Sequence, residues 1–97
     1  MADGPKGYVI ITEDIKDPAG MAEYGKLAMK AMGGAKILSV DQKPTVIEGE
    51  WPATQTVVLE FESVAAAKEW YYSDAYQEAA KVRQGAAECH GVIVSGF

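Results

Sequence analysis

Strand-forming and helix-forming stretches alternate along this chain, and their order leaves few folds open. GYVIITED (residues 7–14) is β-branched and bounded by Gly and acidic residues, the marks of a strand. Asp17-Pro18 supplies an N-cap and a first-turn proline, predicting a helix to about Met32, where Gly33-Gly34 stops it. Met21, Tyr24, Leu27, Ala28 and Ala31 fall on one side of that helix, with Lys26 and Lys30 between them, towards water. AKILSV (35–40) and TVIEGE (45–50) follow, divided by the proline turn DQKP, and QTVVLEFE (55–62) reads as the next strand. Ser63 is placed to cap a helix through VAAAKEWYY, and Ser73 or Asp74 to cap another through AYQEAAKVRQGAAE, so the second helix is expected in two pieces. CHGVIVSGF closes the chain as a short apolar strand.

That order, β-α-β-β-α-β, predicts an α+β fold of the ferredoxin-like kind: a four-stranded antiparallel sheet with the helices on one face. At 97 residues the whole chain, 1–97, has material for one core. The strand faces carry a further expectation. Val9 and Ile11, with Val57, Leu59 and Phe61, form the faces suited to the helices. The opposite faces hold Tyr8, Ile10 and Thr12, and Thr56, Val58 and Glu60, too apolar for a face left to water. Helices cannot cover both faces of one sheet, so a second copy of the sheet, in a two-fold homodimer, is the expected cover.

Charge and cysteine content narrow the partners. The net charge is −5 and the nine Lys and Arg residues are scattered, so nucleic acid is not an expected partner. One cysteine, Cys89, excludes an internal disulfide and a cysteine-rich zinc site. No apolar run has the length of a membrane span, and a cytoplasmic protein is expected.

Few constellations carry chemistry. Cys89 and His90 are adjacent, and neighbours on a strand point to opposite faces, so they form no thiolate–imidazole pair unless the strand begins after them. His90 stands alone as the one histidine, a residue type that titrates near neutral pH. One His among scattered carboxylates gives no metal motif, and the chain has no Gly-rich phosphate loop. No cofactor is expected. In EGEW (48–51), Glu48 and Glu50 would point the same way on a strand, where one carboxyl could be raised in pKa; solvated acids at a strand end are the plainer alternative. WYYSDAY (70–76) holds four of the nine aromatic residues, so its placement decides much. Helical spacing brings Tyr72, Tyr76 and Arg83 to one side, and Arg83 offers a two-pronged anchor for a carboxylate. The alternative is aromatic packing on the sheet, with Arg83 paired at the surface.

The stretch EGEWPATQTVVLEFESVAAAKEWYYSDAYQEAAKVRQGAAE resembles the domain-of-unknown-function 1330 family of the dimeric α+β barrel superfamily. Glu48-Gly49 with Trp51, Phe61 with Ser63, Trp70-Tyr71 with Ser73, Tyr76 and Arg83 carry the resemblance. It implies a ferredoxin-like fold and a homodimer with facing sheets. The superfamily resembles a set that includes cofactor-independent monooxygenases, lactone isomerases and stress-responsive proteins, so an oxygenase- or isomerase-like activity is one expectation among several. Together these readings predict a small-molecule pocket between the sheet and the split second helix. Trp51, Tyr72 and Tyr76 would be its walls, Arg83 would hold the anion of a small organic acid, and His90 or Glu50 would handle the proton. A non-catalytic structural or stress-related dimer is the alternative.

Overall fold

The computed structural model describes residues 4–97. The elements are β1 (Gly7–Ile15), α1 (Pro18–Lys30), β2 (Lys36–Asp41), β3 (Gln55–Phe61), α2 (Val64–Tyr71), α3 (Asp74–Ala86) and β4 (Ala87–Ser95). The strands form one sheet in the order β2-β3-β1-β4, antiparallel throughout. This is the ferredoxin-like arrangement that the element order predicted.

Local chemistry accounts for most boundaries. Ser63 caps α2 by accepting from Ala66 N at 3.0 Å, and Ser73 caps α3 by accepting from Tyr76 N at 3.2 Å. Ser73 Oγ also donates to Trp70 O at 2.7 Å. One serine therefore ties off α2 and starts α3, which is why the helix breaks there. Asp17 occupies the N-cap position of α1 in extended conformation, yet its side chain makes no capping bond. Pro18 at the first turn begins that helix, and Gly33, with φ +56, turns the chain after it. α3 runs straight into β4, and Ala86 O accepts from both Lys16 N and Asp17 N at 2.9 Å.

The segment 45–50 departs from expectation. It forms no strand: β2 pairs directly with β3, and residues 42–54 cross between them as a loop. Pro44 lacks the N–H that a ladder needs, and Gly49 at φ +66 turns the backbone out of extended geometry. The strand alternation that would have set Glu48 and Glu50 side by side is absent.

Gly7, Val9, Ile11 and Glu13 of β1 align with Phe61, Leu59, Val57 and Gln55 of β3 on the helix-facing side. Across the other edge of β1, Val9, Ile11 and Glu13 align with Ile93, Gly91 and Cys89 of β4. Val9, Ile11, Leu59, Phe61, Ala67, Trp70, Tyr76, Ala79 and Ala80 make the core. Ala79 and Ala80 are buried on α3, which packs mainly against α1. The opposite face displays Tyr8, Ile10, Val58, Val92 and Val94, with Val92 54% and Val94 39% exposed. Among the described residues no helix is long and apolar enough to cross a membrane.

Candidate functional site

The inward alternation of β1 ends on an acid. After Val9 and Ile11, Glu13 occupies the next helix-facing position and is 1% exposed. A carboxyl taken out of water needs a hydrogen bond, a counter-charge or a proton. Gln55, its register partner on β3, donates from Nε2 to Glu13 Oε1 at 2.6 Å. Burial raises the Glu13 pKa, while the Gln55 bond and the charge of Arg83 pull against that rise.

Arg83 enters the same layer from α3, 3% exposed. Its guanidinium carbon lies 5.8 Å from the centroid of the Tyr24 ring, a cation–π distance. Tyr24 OH and Tyr76 OH are 2.8 Å apart, so Tyr76 on α3 holds Tyr24 of α1 in place under the guanidinium. Burial raises the pKa of both phenols. Burial also works against the charge of Arg83, but Tyr76, Cys89 and Tyr24 offset it and the group stays a cation. No carboxylate lies within ion-pair distance of Arg83 among the described residues, where Lys16–Asp14 is the pair formed. Its Nε is buried without a hydrogen-bond partner. An orphaned donor on a buried cation is costly.

A cleft of about 850 Å³ opens between α2, α3 and the β4 edge. Arg83, Tyr71, Tyr72, Cys89 and His90 are among its lining residues. Burial raises the Cys89 pKa, with Arg83 lowering it in part, so the thiol is not an activated nucleophile. Cys89 and His90 both lie within β4, and alternation sends their side chains to opposite faces. Among the described residues no three His, Cys, Asp or Glu side chains group as metal ligands.

Of the residues singled out by sequence, Tyr72 and Arg83 come together at this cleft, with Tyr72 71% exposed; His90 borders it from β4, but its register partner is Thr12, so its side chain lies on the opposite face of the sheet. Tyr76 lies beneath the cleft, fully buried, and is not among its lining residues. Trp51 belongs to the other side of the sheet: its Nε1 donates at 2.8 Å to Thr56 Oγ1, which faces away from the helices. Glu50 is exposed in the 42–54 loop and does not line this cleft. Sequence reading missed Glu13, Gln55 and Tyr24. The signal for Glu13 was present, since an acid continues the inward Val9–Ile11 period where a third apolar residue is expected.

Glu13 makes stability depend on pH. Its pKa lies above the reference 4.5 in the folded chain, so the native state holds the proton more tightly than the unfolded state. The stabilisation is fullest below 4.5 and is lost as pH rises through the higher folded value. Glu13→Gln keeps an acceptor for Gln55 and cannot ionise. Thermal unfolding from about pH 4 to 8 should show the variant gaining on the wild type as pH rises; parallel curves would mean that Glu13 is not held protonated by burial.

Comparison with known proteins agrees with this architecture. A Rhodopseudomonas palustris protein of unknown function superposes with a TM-score of 0.73 at 20% identity, covering 97% of this chain and 84% of that one. A dimeric ferredoxin-like protein of unknown function from Thermobifida fusca gives 0.66 at 10% identity, covering 96% and 92%. A Caulobacter crescentus protein, a candidate antibiotic biosynthesis monooxygenase, gives 0.56 at 18% identity, covering 95% and 88%. These likenesses establish the fold. No curated protein matches the sequence significantly. The family model described as "Domain of unknown function (DUF1330)" matches residues 6–97, nearly the whole described chain, and the chain belongs to that family.

Proposed function

We propose that the chain binds a small organic anion, a carboxylate or an acidic enol or phenol, in the cleft beside β4, with Arg83 as the anchor. The observation that carries this reading is the buried guanidinium whose Nε–H has no partner. A carboxylate offers two oxygens to a guanidinium fork, a match in both charge and shape. Tyr72 borders the entrance. Tyr76 acts one layer down, by fixing the phenol on which Arg83 rests. The chain shares its fold with a candidate antibiotic biosynthesis monooxygenase. Turnover of such an acid would be oxygenase- or isomerase-like, with no nucleotide cofactor required by the residues present.

Calorimetric titration with salicylate tests the reading, with salicylamide as the uncharged control. Arg83→Met should weaken salicylate by roughly 10- to 100-fold, the worth of a charge-assisted hydrogen bond, and leave the fold intact. The rival reading is a structural arginine in a non-catalytic dimer. It predicts lost stability in Arg83→Met and the same salicylate affinity as the wild type.

The working unit in this proposal is a homodimer closed over the second sheet face. The exposed Val92 and Val94 beside Ile10 and Val58 support it, as do dimeric ferredoxin-like relatives from Thermobifida fusca and Bacteroides fragilis. Sedimentation equilibrium should give a dimer that Val92→Glu dissociates, because a carboxylate there would be buried without a partner. A wild-type monomer would remove this part of the proposal.

A further inference from the structure

A second cleft, of about 700 Å³, lies on the other side of the buried Glu13–Arg83 layer, between α1 and the β2–β3 side of the sheet. Its walls are Met21, Met29, Met32, Ile37, Val40 and Leu59, with Trp70 at one end. No lysine, arginine or histidine is among its lining residues, so an anion would find no counter-charge there. Glu13 and Gln55 line it together as an acid–amide pair. Gln55 holds one carboxyl oxygen of Glu13, and the other has no hydrogen bond among the described residues. This is a concave apolar space with one fixed polar point, the usual build of a small-molecule site. Three flexible methionines let the walls adapt to an irregular guest.

We infer that this cleft binds a neutral, largely apolar molecule carrying a single hydroxyl, a phenol or a hydrophobic alcohol, whose hydroxyl hydrogen-bonds to the free oxygen of Glu13. The charge that would attract an acid is on the β4 side, and this cleft has no counter-charge to offset the cost of burying one. The two clefts therefore select opposite ligands. The inference stands apart from the reading of Arg83, because the lining of the second cleft does not include that residue.

Trp70 supplies the probe. The chain has two tryptophans, and Trp51→Phe leaves Trp70 as the sole emitter. Titration of that protein with 4-tert-butylphenol should change Trp70 emission saturably. 4-tert-butylbenzoate, of similar shape but charged, should bind at least about tenfold more weakly. Glu13→Leu removes the hydrogen-bonding partner and Ala28→Phe fills the cleft from α1; each should weaken the phenol by about tenfold or more. Ala28→Phe should leave salicylate binding at Arg83 unchanged, which keeps the two sites separable. The inference is overturned if the phenol gives no saturable change, if the benzoate binds as well as the phenol, or if both variants keep wild-type phenol affinity.

Discussion

Tyr76→Ala is expected to cost about 3–5 kcal/mol of stability, the range for removing a large aromatic from a core. For a domain of this size that lowers the melting temperature by on the order of 15–30 °C. Tyr76 is 0% exposed. Its ring centroid lies 4.0 Å from that of Trp70 and 5.6 Å from that of Tyr71. Trp70 in turn packs 5.0 Å from Phe61 and is oriented by an Nε1–H bond to Ala31 O at 2.8 Å. Deleting the ring opens a void against a side chain that is pinned and cannot collapse into it. It also strands the Tyr24 hydroxyl, 2.8 Å away in the intact protein. Tyr76→Phe isolates that second effect and should cost about 1–3 kcal/mol. Tyr24→Phe combined with it should cost less than the sum, because the two hydroxyls serve each other. Denaturant unfolding of the four proteins measures the coupling. A loss below about 1 kcal/mol for the alanine variant would place Tyr76 outside the core.

Gly7→Ala should be the most damaging single methyl group. A Cβ at Gly7 would sit 2.4 Å from Ser63 O, 2.6 Å from Ser63 C and 2.7 Å from Val64 N. All three are backbone atoms at the start of α2, so no rotamer change can make room. Gly7 itself is held between Phe61 and Ser95 in the sheet ladder. Relief requires lifting the α2 N-terminus and its Ser63 cap away from the sheet, expected to cost at least about 2–3 kcal/mol. Gly25→Ala is the matched control. It lies in α1 with nothing within 4 Å of its added Cβ, and alanine is the better helix former, so that variant should gain about 0.5–1 kcal/mol. Opposite signs in thermal melts would establish that contact, and not glycine content, decides the outcome. Equal melts would show that α2 is free to shift.

Much of this was legible in the residues. Ser63 and Ser73 announced both helix starts, and period-two alternation assigned Val9, Ile11, Val57, Leu59 and Phe61 to the helix face. Those signals are local: a cap bonds within three residues and alternation is a property of one strand. TVIEGE misled because β-branched content was read without the partner strand that would have to pair with it. The site was legible only in pieces. Helical spacing marked Arg83, and the adjacency of Cys89 and His90 correctly separated their side chains. Trp51 was grouped with Tyr72 by residue type, yet Thr56 draws it to the far side of the sheet.

The sequence by itself determined the order of elements, the split of the second helix and the two-faced apolar strands, because each follows from the chemistry of neighbouring residues. The tertiary structure alone decided which polar groups meet. Glu13, Tyr24, Tyr76 and Arg83 come from β1, α1 and α3, and their convergence depends on strand register and on how the helices seat over it. That same seating left Arg83 buried with an unpaired Nε–H, and it left clefts of opposite character on either side of the layer. Burial turns ordinary residues into candidates for binding, and burial is a property of the packed chain, which no short window of sequence contains.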